Sequence, residues 1–145
     1  RLRQGGLVIR RIGENFIQIK LPSGRFLSYP QMHISEDDQG RAKLVYMGMN
    51  QTTHKWVEIP TYGGRLTENV VQAIARDCLG ITILRLERAG YPVVFHIHDE
   101  CICEVPDDGS KTLEEMQQIF ATPIPFAKDL PLKGAGYVTK YYLKD

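Results

Sequence analysis

The sequence predicts an α+β fold, an antiparallel sheet with a long helix packed on it and a group of β-strands at the N-terminus. Three observations carry this. Short alternating apolar segments fill the first sixty residues, one long helical pattern follows, and two apolar strands then fold about an acidic tip. At 145 residues the chain is one domain by length, able to bury a core without disulfides.

Residues 1–60 read mostly as strands: Leu7 to Ile12, Phe16 to Leu21, Arg25 to Tyr29, Lys43 to Met49 and Trp56 to Ile59. Gly13-Glu14-Asn15 and Pro22-Ser23-Gly24 supply turn chemistry between the first three. Ser35 to Gly40 is a polar, acidic loop. Within 61–90 a helix starts near Arg65 and runs to about Arg88, ended by Gly90 and Pro92. Val70, Ile74, Cys78, Ile81 and Leu84 or Arg85 recur at three- and four-residue steps and form its apolar stripe.

Residues 91–106 are a hairpin. Val93 to Ile97 and Cys101 to Val105 alternate as strands, and His98-Asp99-Glu100 leaves a tight connection that suits Asp and Glu, which are poor strand formers. In 107–145, Asp107-Asp108-Gly109 is a turn, and Thr112 with Glu115 reads as a capping box opening a helix through about Phe120. Pro123 and Pro125 stop that helix, whose buried side is Met116, Ile119 and Phe120. It covers a sheet face.

A formal net charge of +1 gives no bulk basic character, so any nucleic-acid site has to be local. Three cysteines, no apolar leader and no membrane-length run point to a reducing, soluble compartment, with cytoplasm as the default. Arg65, Asn69, Gln72 and Arg76 fall at helical spacing on a face of their own. Such a stripe is most often a solvated face, which Glu and Lys serve better than amides. Short amides flanked by Arg can instead reach the minor-groove acceptors common to all base pairs while Arg takes phosphate.

The order Leu21-Pro22-Ser23-Gly24-Arg25, then Thr61-Tyr62-Gly63-Gly64-Arg65 through Asp77, then His98-Asp99-Glu100 resembles the C-terminal part of family A DNA polymerases, the bacterial polymerase I group, and above all their phage-type members. The resemblance spans nearly the whole chain, and by it the tail from Gly136-Tyr137 to Tyr141-Tyr142-Leu143-Lys144 is the family's closing strand. It implies a single palm-type domain fragment over 1–145, in a bacterial or phage-infected cell. The implied chemistry is nucleotidyl transfer with two Mg²⁺ in the complete active site. By the same resemblance Asp99 and Glu100 are catalytic metal ligands, Glu100 the weaker. Arg65, Asn69 and Gln72 contact primer-template DNA, and His98 lies near the primer terminus. The Asn69 to Gln72 interval is one residue shorter than in the bacterial enzymes.

Two family patterns are not found in this sequence: the strand with Asp-Tyr-Ser-x-Ile-Glu, and the Arg/Lys/Tyr helix that grips the deoxynucleoside triphosphate. With Arg1 in place of Met, this leads to the expectation of a piece of a longer polymerase, inactive without its N-terminal part. Two other readings stay open. A two-residue Asp99-Glu100 turn sets His98 opposite Cys101 and His96 opposite Cys103, four candidate Zn²⁺ ligands on one face. The chain can also be a non-catalytic prophage remnant serving as a DNA- or protein-binding module.

Overall fold

The structure, a computed structural model, describes residues 2–4 and 6–142. Strands β1 (Leu2–Gln4), β2 (Leu7–Ile12), β3 (Phe16–Lys20), β4 (Phe26–Tyr29), β5 (His33–Glu36), β6 (Ala42–Met49) and β7 (Trp56–Thr61) precede helix α1 (Gly63–Arg88). Strands β8 (Val93–Ile97) and β9 (Glu100–Cys103) and helix α2 (Leu113–Ala121) follow. Strand pairing among the described residues is antiparallel throughout, in sheets ordered β1-β2-β3-β4, β5-β6-β7 and β8-β9, so the α+β class is the one the sequence predicts. Contacts gather into two compact units, Arg1–Ile74 and Ala75–Asp145, with the border inside α1.

In the first unit the two glycine turns form where expected. Gly13 opens the connection that sets Ile12 opposite Phe16, with φ 60°. Leu21 N–H donates to Arg25 O at 2.8 Å, and Gly24, φ 94°, donates to Leu21 O at 2.9 Å. One face of the first sheet is the core: Ile19, Leu21 and Tyr29 are buried with Val70 and Ala73 of α1. The Tyr29 ring meets Tyr46 edge-on, centroids 5.1 Å apart. Arg25 Nη2 donates to Ala73 O at 3.1 Å, a second tie between sheet and helix. Pro60 lies within β7, an edge strand, where its missing N–H is tolerated.

Two strands, β1 and β5, were not expected from the sequence. Ser35 and Glu36 belong to β5, paired with Lys43 and Ala42, so the acidic loop is shorter than predicted. Asp37 closes it: one carboxylate oxygen accepts from Gln39 N–H and Arg41 N–H at 2.9 Å, and the other from Arg41 Nε at 2.8 Å. These bonds, the Arg41 backbone N–H first, hold its carboxyl below the usual range. The apolar stripe of α1 also differs. Val70 and Cys78 are buried, but Leu84 is 53% exposed, and the buried line runs through Ala73, Leu79, Thr82 and Leu86. Thr82 can be buried because its hydroxyl donates to Cys78 O at 3.1 Å, a compensation that an apolar pattern does not reveal.

The second unit turns on the end of α1. Tyr91 N–H donates to Leu86 O at 2.9 Å and Gly90 N–H to Glu87 O at 3.1 Å. This is a Schellman stop with Gly90 at φ 78°, and its apolar contact is made by the fully buried Leu86 and Tyr91. The Tyr91 phenol reaches on to α2: its single O–H donates to the Glu115 carboxylate, with Thr112 O 3.1 Å from the same oxygen, and it accepts Thr112 N–H at 3.1 Å. Thr112 caps α2 as predicted, its hydroxyl accepting Glu115 N–H at 3.2 Å. The return half of the expected capping box is not made, because Tyr91 occupies both Thr112 N–H and the Glu115 carboxylate. Burial first, then the Glu115 bond, pushes the Tyr91 phenol up.

Arg85, placed on the apolar stripe by periodicity, instead clamps the end of α2, donating to Thr122 O at 2.8 Å and Pro123 O at 2.9 Å. Met116, Ile119 and Phe120 are half-buried. The expected closing strand is absent over its described part, 136–142; Leu143 and Lys144 lie outside the described residues. The tail lies against α2 instead of a sheet edge. A Cβ on Gly134 would stand 2.8 Å from Phe120 Cβ and 3.0 Å from Gln117 Cα, and Tyr142 meets the Phe95 ring edge-on at 5.0 Å.

Tyr91→Phe keeps the packing and removes the bonds to Thr112 and Glu115. It is expected to lower unfolding stability by about 1–2 kcal/mol, read as a reduced urea midpoint at unchanged slope.

Candidate nucleic-acid interface and acidic hairpin

The register of β8 and β9 pairs Ile97 with Glu100, His96 with Cys101, Phe95 with Ile102 and Val93 with Cys103, with an irregularity between Val93 and Phe95. The turn is therefore His98-Asp99, and Glu100 is the first residue of β9. This corrects the Asp99-Glu100 turn of the zinc arrangement: His96, not His98, faces Cys101, and Cys103 faces Val93. The physical cause is His98 itself, which takes φ 49° and so supplies the positive φ of a two-residue hairpin turn. A non-glycine residue there is uncommon, and such strain gathers at functional positions. His98, Asp99 and Glu100 are exposed, and their side chains have no hydrogen-bond or ion-pair partner among the described residues.

Among the described residues no group of three or more His, Cys, Asp or Glu side chains could hold a metal. The zinc set is thus not assembled. Its thiols are also poor ligands: burial pushes Cys101 up, partly offset by Arg76, and burial with the charges of Cys101 and Glu87 pushes Cys103 up to about 11. Asp99 and Glu100 can supply donors to a hard cation, but as a pair they are an incomplete set. Arg76 reaches from α1 to β8. Its Nη1 lies 3.2 Å from His96 Nδ1 and its Nη2 3.4 Å from Nε2, a pairing that helical spacing does not predict. A neutral imidazole accepts at one nitrogen only, so a single tautomer makes one of these bonds.

On α1, Arg65 and Gln72 are seven residues apart and within about 20° of each other around the axis. Both are exposed. Arg65 has no partner among the described residues, and Gln72 Nε2 donates to Glu68 Oε1 at 3.1 Å, one turn back. Asn69 departs by about 40° from Arg65 and about 60° from Gln72, following its four- and three-residue intervals to them. It is half-buried, and its Nδ2 donates to Tyr29 Oη at 3.2 Å. Burial raises the Tyr29 phenol pKa, and the Asn69 bond opposes that. The structure thus keeps Arg65 and Gln72 on one open line and turns Asn69 toward the sheet. The first turn of α1 is bare: Gly63 and Gly64 are exposed, and no acidic residue lies in it.

The whole chain is similar to part of a DNA polymerase of Bacillus phage SP02, 44% identical over 146 aligned residues that cover 100% of this chain. The chain spans 22% of that relative's length. No family model matches the chain, and no solved structure matches it. No helix of the described residues is long and apolar enough to cross a membrane.

The strained turn gives one prediction. His98→Val, a β-branched residue that resists positive φ, is expected to cost about 1–2 kcal/mol by denaturant unfolding, whereas His98→Gly stays within about 1 kcal/mol of the parent. The raised Cys103 thiol gives another. Its neutral form is favoured in the folded chain, so between its ordinary value of 9.0 and about 11 the folded chain retains a proton that the unfolded chain has released. Stability is therefore expected to fall as pH rises through that window, and a Cys103→Ala variant should lose the part of the fall that this thiol causes, measured by urea unfolding at pH 8 and 10.5.

Proposed function

We propose that this chain is the C-terminal palm portion of a family A, template-directed DNA polymerase. The observation that carries the reading is the 44% identity across the entire chain to part of a phage DNA polymerase. The exposed acidic tip and the open Arg65–Gln72 line support it. In this reading Arg65 takes a phosphate of the primer-template duplex, and the Gln72 amide leaves Glu68 for a minor-groove acceptor. Asn69 acts through Tyr29, holding the helix to the sheet, and reaches DNA only by releasing that phenol. His98 lies beside the primer end because its backbone projects it from the hairpin tip.

The reaction is attack of the primer 3′-hydroxyl on the α-phosphorus of a deoxynucleoside triphosphate, with pyrophosphate leaving. Asp99, with Glu100 as the weaker ligand, would contribute carboxylates to divalent cations, which when bound neutralise charge on the attacking and leaving oxygens. The described residues supply no third ligand, so this chain alone is expected to extend no primer. The remaining donors and the triphosphate-gripping groups belong to the rest of the polymerase.

Two measurements test this. In fluorescence anisotropy, a primer-template duplex should bind with salt-sensitive affinity, and an Arg65→Ala/Gln72→Ala double variant should bind it about tenfold more weakly. Unchanged duplex affinity would remove the DNA face. Substituting this chain for the matching part of the SP02 polymerase should give a chimera that extends primers and loses at least about a thousandfold in rate on Asp99→Asn while still binding duplex. A chimera equally active with Asn there would remove Asp99 from the chemistry.

A further inference from the structure

The face of the first sheet opposite the core carries a second surface that neither α1 nor the hairpin explains. The chain is nearly neutral, yet its first 29 residues hold Arg1, Arg3, Arg10, Arg11, Lys20 and Arg25 against Glu14 alone. Strands β2, β3 and β4 contain no acidic residue. Their register aligns Arg10 with Gln18 and Ser28, and Val8 with Lys20 and Phe26, on the face that alternation directs away from Ile19.

Arg10 is fixed there. Its Nε and Nη2 donate to Gln18 Oε1 at 3.0 and 2.6 Å, and Gln18 Nε2 in turn donates to Ser28 Oγ at 3.2 Å. The guanidinium carbon lies over the Phe26 ring, 4.5 Å from its centroid. A long cationic side chain on an exposed sheet normally samples many rotamers and is no platform for anything. This one is held at its edge by an amide and on one side by a ring, leaving its other side to solvent. Lys20, paired with Phe26, is exposed beside it, and Phe16 lies on the same face two residues along β3 from Gln18.

We propose that this face binds single-stranded nucleic acid, with a base stacked on the Arg10 guanidinium over Phe26 and the adjoining phosphate taken by Lys20. Charge selects a polyanion, since Arg10 and Lys20, the basic groups of β2 and β3 on this face, meet no acid across the three strands, whereas Arg11 shares the Ile17 face and Arg25 reaches α1. Fixed planar groups then select one with free base faces, because aromatic rings and guanidinium planes stack unpaired bases, and a duplex keeps its bases stacked internally. Sequence preference is expected to be weak, as every base offers a π-face. The surface lies opposite the one on which α1 packs, so the two nucleic-acid contacts are separable by mutation.

The test is fluorescence anisotropy of the full chain with a labelled oligothymidylate, competed by inorganic polyphosphate, which has charge but no bases. Arg10→Lys, which keeps the charge and loses the plane, is expected to weaken oligothymidylate binding about fivefold or more while leaving primer-template duplex affinity unchanged. Arg65→Ala/Gln72→Ala should do the reverse, so failure of this surface and failure of the polymerase reading are told apart. Phe26→Leu, which removes the ring beneath Arg10, should act in the same direction as Arg10→Lys and decides the matter if that variant does not fold. No oligothymidylate binding, polyphosphate competing as well as the oligonucleotide, or wild-type affinity in the folded variants would overturn the proposal.

Discussion

The second unit depends on one buried phenol. Tyr91 is 2% exposed, and its backbone N–H ends α1 while its hydroxyl opens α2. A buried phenol without partners would cost free energy, and here Thr112 and Glu115 supply them. Lys111 adds to the same point: its ammonium donates to Ala89 O, a free carbonyl at the end of α1, and stands 4.9 Å from the Tyr91 ring centroid. One side chain thus fixes where the long helix stops, where β8 begins and how α2 starts. The acidic tip owes its position to this, since β8 leaves the helix only two residues after Tyr91.

The first unit follows a different constraint, the two-sidedness of a sheet. Ile19 and Tyr29 face α1 across an apolar layer, and the residues between them in register, Gln18 and Ser28, face outward with Arg10. Because side chains alternate strictly, a strand that buries Ile19 has to present Gln18 and Lys20. The polar ladder is therefore no accident of the surface. It adds cross-strand hydrogen bonds on the one face that the core cannot reach.

Much of this was legible in the sequence. The β2, β3, β4, β6 and β7 strands and both helices follow period-two or period-3.6 patterns bounded by glycine or proline, and their ends fell within two residues of expectation. What failed had more than one cause. Strand β5 contains Ile34, which is 66% exposed, so no buried alternation marks it. The closing strand was expected from the family resemblance, but Gly134 and Gly136 instead let the tail lie on α2, with Leu113 Cδ1 3.2 Å from where a Gly136 Cβ would be. The two-residue turn assumed for the zinc arrangement is displaced by one residue, because a His at positive φ is not a pattern that hydrophobic periodicity encodes. The shared open face of Arg65 and Gln72 was readable from spacing. The inward turn of Asn69 was not, since its partner Tyr29 is 40 residues away.

The shift in the hairpin bears on chemistry. With Asp99 in the turn and Glu100 in β9, the two carboxylates belong to different backbone environments, one on a strained tip and one on a strand whose pairing fixes its direction. Consecutive acids on a regular strand would point to opposite faces, and acids on a flexible loop would pay rotamer and backbone entropy to converge on a cation. A turn followed at once by a strand avoids both: Asp99 is held forward by the two-residue turn, and Glu100 is oriented by its pairing with Ile97. Such a tip can present a carboxylate to a cation coordinated mainly by other groups, and its exposure means that ligation does not first require a buried ion pair to break. The strain at His98 is then the structural cost of holding Asp99 at the apex, where a glycine would give the same turn with a looser backbone.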